Sequence, residues 1–348
     1  MPDPILRTEI LEQPAVLRRL IQQERSAIDR VAQIIRERNP RFVMLAARGS
    51  SDNAGRYAQY LFGAFNRLPV ALATPSLFTL YEKPPRMEDS LVIAISQSGQ
   101  SPDIISVIDE GRRQGALTVA LTNDTESPLA LAAEHRLNLH AGQERAVAAT
   151  KTYTTSLTAI AMLSAALAQD ESRFVALDSI PAILDQVVSG ADETINASER
   201  YRYMEACVVV SRGFNYATSY EVALKLKELT YILAEPYSTA DFQHGPMALV
   251  SGDGFPVLAI VPEGELADEL VEFLRELDRR GAELLVISSR EDALSIARTP
   301  LSLPIGIPEW LSPIASVVRG QLFALGLTLA KGYNPDAPRG IHKVTLTK

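Results

Sequence analysis

The sequence predicts an α/β protein in which a parallel sheet flanked by helices is built twice. Three observations carry that expectation. Short β-branched apolar runs alternate with stretches of helical periodicity, the pattern of strands covered on both faces. The runs at residues 41–47 and 206–211 are each followed at once by an Arg-Gly turn, Arg48-Gly49 and Arg212-Gly213, and then by a helical stretch. A length of 348 residues suits two medium domains better than one large one.

Taken in order, residues 8–38 read as an amphipathic helix with Leu11, Val16, Leu20, Ile28, Val31 and Ile35 as its apolar positions. A strand at 41–47 leads through Gly49-Ser50-Ser51 into a helix over 52–65. The pattern returns as strand 90–95, a Ser/Gly loop, helix 102–114 and strand 117–121. The second half opens on strand 206–211 and a long helix over 215–233. Strand 256–261, helix 265–280, strand 284–288 and a last helix over 313–331 follow. The expected organisation is a helical segment 1–38, a first α/β domain 39–170, a helical connector 171–200, a second α/β domain 201–333 and a tail 334–348.

Composition narrows the function. Hydrophobic residues make up 47% and charged residues 22%, which supports a packed core and argues against disorder. Lys and Arg number 34 against 42 Asp and Glu, a net charge of −8. Such a chain is a poor general binder of nucleic acid, so an anionic ligand must be held by local dipoles and a few chosen cations. The single cysteine, Cys207, lies in the run Ala206-Cys207-Val208-Val209-Val210. It cannot form a disulfide within the chain, and it reads as a core strand residue of a cytoplasmic protein. No basic-then-apolar leader follows Met1-Pro2-Asp3, and the longest apolar helical stretch, Leu157 to Ala168, is too short to span a bilayer. No membrane is expected. The spacing of His135, His140, His244 and His342 matches no zinc site, no acidic EF-hand loop is present, and the chemistry requires no metal or cofactor.

The strongest local signal is Ser96-Gln97-Ser98-Gly99-Gln100-Ser101, directly after an apolar strand and directly before a helix that starts at Pro102. Ligands of open α/β sheets bind at the carboxyl ends of strands. A helix N-terminus offers unpaired N–H groups and partial positive charge to a phosphate, and the serine hydroxyls add donors without net charge. Taken alone, the loop also fits a solvated turn with Ser101 as helix cap. Gly49-Ser50-Ser51 occupies the equivalent place after the first strand, and two such loops on neighbouring strands could converge on one anion.

Glu221, Lys225 and Glu228 fall within roughly 60° of one another on a helix. Such a set is usually a surface ion-pair ladder. Here Val222, Ala223, Leu224, Leu226 and Leu229 leave little else polar, so the strip is expected to face a cleft, where a carboxylate can be tuned for base chemistry. His244 lies in the loop Asp241-Phe242-Gln243-His244-Gly245-Pro246. The C-terminal segment holds Pro335 and Pro338, which restrict it, and Lys343, which could act as a cation or an imine-forming amine.

In this order, Gly49-Ser50-Ser51, Ser96-Gln97-Ser98-Gly99, Ala149-Thr150-Lys151, Glu221 to Glu228, His244-Gly245-Pro246 and Pro338-Arg339 with Lys343 resemble the SIS (sugar isomerase) family. Most closely they resemble the isomerase half of glutamine–fructose-6-phosphate aminotransferase, over residues 40–348. The resemblance implies two SIS domains of flavodoxin-like three-layer form, a homodimer, and a phosphorylated amino sugar or ketose as ligand. It implies that Gly49, Ser51, Ser96, Gln97, Ser98 and Ser101 bind the phosphosugar and that Val147 and Ala149 lie in the loop contacting the sugar. It further implies that Glu228 moves a proton between C1 and C2, supported by Glu221 and Lys225. His244 would open the ring from across the dimer interface, and Lys343, in a tail that closes the active site, would form an imine with the ketose.

The departures shape the expected reaction. In the family synthase the glutaminase nucleophile is a cysteine after the initiator Met, whereas this chain has Pro2 there and Cys207 as its sole cysteine. Ammonia release from glutamine by that route is therefore not expected. Arg48 stands where the synthase usually has cysteine and Ala149 where it usually has serine, and both changes resemble the stand-alone SIS-type glucosamine-6-phosphate deaminases. The expectation is conversion of glucosamine 6-phosphate to fructose 6-phosphate and ammonia. The retained Glu228, His244 and Lys343 also allow deamination of galactosamine 6-phosphate or cleavage of a ketosamine 6-phosphate. SIS domains serve as non-catalytic sugar-phosphate sensors too, a reading disfavoured by the intact catalytic set.

Overall fold

The computed structural model describes residues 3–343; residues 1–2 and 344–348, including the end of the expected tail, lie outside the described residues. The chain divides into two compact units. The first comprises Ala15–Glu144, Lys151–Ser179 and the described residues from His342 on; the second comprises the described residues up to Pro14, Arg145–Thr150 and Ile180–Ile341.

The first unit is built on strands β1 (Phe42–Ala46), β2 (Val70–Leu72), β3 (Ser90–Ser96), β4 (Leu117–Thr122) and β5 (His135–Asn138), in the spatial order β2-β1-β3-β4-β5. The second is built on β6 (Ala206–Ser211), β7 (Leu233–Ser238), β8 (Pro256–Val261), β9 (Glu283–Ser288) and β10 (Thr299–Ser302), in the order β10-β9-β8-β6-β7. Every pairing is parallel. Counted from its own first strand, each sheet has the order 2-1-3-4-5, so the duplication suggested by the paired Arg-Gly turns extends to the whole sheet.

The six inner strands match the sequence reading to within a residue or two at their ends. The four strands that it missed, β2, β5, β7 and β10, are the four sheet edges. An edge strand is paired on one side only and need not be apolar on both faces. Val-Ala-Leu is apolar but only three residues long, and His-Arg-Leu-Asn, Leu-Ala-Glu-Pro-Tyr-Ser and Thr-Pro-Leu-Ser are broken by polar residues or proline. The expected helix over 215–233 is corrected accordingly. It runs Tyr216–Thr230, stops at Tyr231 in the left-handed conformation (φ 60°), and Leu233 already belongs to β7.

The expected single helix at 8–38 is two, Ile5–Leu11 and Gln13–Arg38. Pro14 lacks the N–H that would bond to Ile10, and the Gln13 side chain donates to the Ile10 carbonyl instead, at 3.0 Å. The first of these helices is capped from far along the chain. Both carboxylate oxygens of Asp336 accept from its opening N–H groups, Ile5 at 2.8 Å and Leu6 at 2.9 Å. The C-terminal segment is therefore fastened, and Arg339 adds a stacking contact, its guanidinium 4.0 Å from the centre of the Tyr231 ring.

Two core helices, Lys151–Ala168 and Ser312–Ala330, are buried over nearly their whole length. The longest apolar helical stretch is thus not at 157–168. Glu309–Ala330 is long and apolar enough to cross a membrane, and 89% of its apolar window is buried inside the protein, the setting of a core helix.

Candidate active site

In the first unit the strand order reverses between β1 and β3, the switch point at which open α/β sheets bind ligands. Both serine loops leave the sheet there. Gly49 (φ 54°) turns the chain into the helix Ser50–Asn66, whose first turn holds Ser51. After β3, the hydroxyl of buried Ser96 accepts from the Gly99 N–H at 3.1 Å, and Ser98 accepts from Gln100 at 3.3 Å. Gly99 (φ 61°) has no room for a side chain, since a Cβ would lie 2.1 Å from the Ser127 hydroxyl. The Gln97 carbonyl accepts from the Asn123 N–H at 3.3 Å. Ser101 precedes the helix Pro102–Arg113 but makes no side-chain cap bond, so its hydroxyl is not committed to the helix.

Arg48 completes this edge. Its Nε donates to the fully buried Asp103 carboxylate at 2.9 Å, tying the β1 loop to the first turn of the helix after β3. Asp103 was not singled out from sequence, because an acidic residue in a first helical turn is commonplace.

Lys343 belongs to the same unit. Its ammonium meets Glu144 at 2.6 Å. The buried Glu144 carboxylate also accepts from the Thr152 N–H at 3.1 Å and hydroxyl at 2.7 Å. The chain leading to it is held in turn, with Glu24 accepting from the Asn138 N–H and lying 2.6 Å from His140, and Arg19 donating to the His140 carbonyl. Sequence reasoning missed Glu144. Its nearest signal was its place just before the Ala149-Thr150-Lys151 motif.

In the second unit, Glu221, Lys225 and Glu228 share one face of the helix Tyr216–Thr230 as expected. Lys225 lies 3.4 Å from Glu221 and 2.5 Å from Glu228. The side chains of Glu221 and Lys225 are 0% and 1% exposed, while Glu228 keeps 24%. The set is thus not the surface ladder that such spacing usually makes, in line with the apolar neighbours read from the sequence, but a buried triad that leaves one carboxylate partly exposed. Val147 and Ala149 are half-buried and alternate with buried Ala146, Ala148 and Thr150. Glu9, buried in the first helix, accepts from the Arg145 N–H at 2.6 Å and the Ala146 N–H at 3.1 Å and so holds the start of that loop. His244 ends the short helix Thr239–Gln243 and is exposed.

The duplicated framework does not duplicate the anion loop. At the corresponding switch point, between β6 and β8, the loop after β8 reads Pro262-Glu263-Gly264-Glu265. Glu263 accepts from the Ser289 hydroxyl at 2.7 Å, and Glu309 accepts from the Glu265 N–H at 2.8 Å. Burial holds the Glu309 carboxyl above its ordinary pKa. Donors that could face a phosphate are satisfied by the protein's own carboxylates, and like charge opposes an anion there.

Comparison with known proteins follows the same two-part division. The sequence model of one family, the SIS domain, matches residues 34–166 and again 205–331. The chain belongs to the SIS domain family. Glutamine–fructose-6-phosphate aminotransferase (isomerizing) of Thermococcus kodakarensis is 34% identical over 345 residues, covering 96% of this chain and 56% of that protein. This SIS chain thus spans about half the length of the curated relatives it matches. Among solved structures, a chain of Silicibacter pomeroyi DSS-3 with the provisional name of phosphosugar isomerase superposes with a TM-score of 0.85 at 34% identity, covering 96% of this chain and all of that one. The C-terminal domain of the Francisella tularensis glucosamine-fructose-6-phosphate aminotransferase superposes with a TM-score of 0.87 at 27% identity, covering 96% of this chain and 98% of that one.

Proposed function

We propose that this SIS protein is a phosphosugar isomerase that deaminates its substrate, converting glucosamine 6-phosphate and water to fructose 6-phosphate and ammonia. The observation that carries the reading is the Glu221–Lys225–Glu228 triad, in which a buried ammonium fixes two carboxylates and leaves one partly open. Proton transfer between adjacent sugar carbons needs one firmly oriented carboxylate, and Glu228 fits that need.

The remaining residues take roles around that transfer. The loops bearing Gly49, Ser51, Ser96, Gln97, Ser98 and Ser101 grip the phosphate, whose binding energy orients the reacting end. Val147 and Ala149 contact the sugar. His244 opens the ring; its exposure in the single chain suits a histidine offered to a second copy in a homodimer. Removal of the C2 proton by Glu228 and its return at C1 convert the aldose-amine to a ketimine. Water adds to C2, the C–N bond breaks, and ammonia leaves. Lys343 can form an imine at the same carbon. Arg48 and Ala149, where the synthases usually carry cysteine and serine, favour deamination over synthesis.

The test is to incubate the purified protein with glucosamine 6-phosphate, without glutamine, and to measure ammonia and fructose 6-phosphate. Equal release of both is the expected result. Absence of release, with the sugar phosphate still binding, would overturn the assigned reaction and leave the phosphate site standing.

A further inference from the structure

The second unit contains a cationic cavity that shares no residue with the site above. It has a volume of about 410 Å³ and opens between edge strand β10, residues 193–200 and the core helix Ser312–Ala330. Arg200, Arg298 and Arg319 line it, with Thr194, Thr299 and Ser302 beside them. Glu193 is the one acidic residue of the lining.

Arg319 decides the argument. It is the one charged residue of the helix Ser312–Ala330, between buried Val318 and Leu322, and is itself only 6% exposed. Its Nη1 donates to the Gly190 carbonyl at 3.1 Å and the Thr194 hydroxyl at 2.7 Å, which closes the end of the preceding helix. Its Nε is buried without a hydrogen-bond partner. Arg319 makes no ion pair among the described residues, and burial draws its pKa down against the more distant pull of Glu193. A buried unpaired guanidinium is costly, and an apolar residue would close the helix packing without that cost. Arg298 is exposed at the rim and also makes no ion pair among the described residues, whereas Arg200 is bound to Glu283 at 2.8 Å. The wall thus holds two guanidinium groups without a carboxylate in ion-pair contact among the described residues, one of them tied only to neutral oxygens, in a chain whose net charge is −8.

We propose that this cavity binds a small phosphomonoester, with the Arg298 guanidinium at the rim donating to the phosphate and the charge of Arg319 in the wall attracting it. Arginine pairs with phosphate through several charge-assisted hydrogen bonds. The volume lies in the range of small-molecule sites and accepts a ligand of hexose-phosphate size. The site does not rest on the reaction assigned above.

The experiment uses the full chain carrying Ser96→Ala and Ser98→Ala, which disable the β3 loop, and titrates it calorimetrically with inorganic phosphate, fructose 6-phosphate and acetate. Saturable binding of phosphate or of the ester is expected, and the tighter of the two identifies the source of the phosphate group. Arg298→Ala should weaken it about tenfold or more, the scale of one lost charge-assisted hydrogen bond. Arg298→Glu at the exposed rim should abolish binding. Deamination by the Arg298 variants in the intact protein should be unchanged. No saturable binding, binding indifferent to Arg298, or an equal response to acetate would overturn the proposal.

Discussion

The Lys343 ammonium lies 2.6 Å from Glu144, 199 residues earlier in the chain, and the carboxylate that receives it has a fully buried side chain held by Thr152. The lysine nearest the end of the described chain is thus positioned by a preformed acceptor. In the proposed reaction the part of Glu144 is to position the Lys343 side chain.

Glu144→Gln should therefore lower kcat about 10- to 100-fold, the scale of a misplaced reacting group, with little change in KM. Its effect should not add to that of Lys343→Met, because both remove one interaction. Steady-state kinetics on the four members of the cycle check this. Full additivity would dissolve the functional link between the two residues.

Glu228→Gln should reduce turnover about 10²- to 10⁴-fold while sugar-phosphate binding persists. Lys225→Met should act differently, leaving two carboxylates without their shared cation and destabilising the fold by about 3–5 kcal/mol. Denaturant unfolding separates the two: the Glu228 variant should unfold near the wild type, the Lys225 variant well before it.

Gly99→Ala combines a left-handed backbone (φ 61°) with a Cβ 2.1 Å from Ser127, so the loop must move. A stability loss of about 1–3 kcal/mol is expected, with a raised KM for the phosphosugar. Gly49→Ala meets no atom within 4 Å and should show backbone strain alone, with the smaller effect. Thermal unfolding and substrate titration of the pair check the order, and a reversed order would contradict the close-packed loop.

Cys207 is buried on β6, and desolvation pushes its thiol up to about 12. At pH 8 on the order of one thiol in ten thousand would be ionised, and the thiolate is the reactive form. The native protein should resist aromatic disulfide reagents at pH 8 and react with one equivalent once denatured. Rapid native reaction would contradict the placement of this strand.

The inner strands were legible because each is a local apolar run closed by a turn, and so were the Ser96–Ser101 loop and the Glu221–Glu228 strip, whose spacing along the chain is their geometry. The edge strands β2, β5, β7 and β10 were not, because one-sided pairing leaves no compositional mark. Glu9, Glu144 and Asp103 escaped for another reason. Each is an ordinary acidic residue until the fold buries it against backbone donors, an arginine or Lys343.

By itself the sequence determined the doubled parallel α/β design, the phosphate-type loop and the candidate base, since periodicity and short-range spacing are properties of the chain. Only the tertiary structure decided that Asp336 caps a helix that begins 331 residues before it, that Glu144 receives Lys343, that one switch point is closed by carboxylates, and that Arg319 lies buried beside a cavity. Those features depend on which distant groups are desolvated together, and no local pattern encodes that.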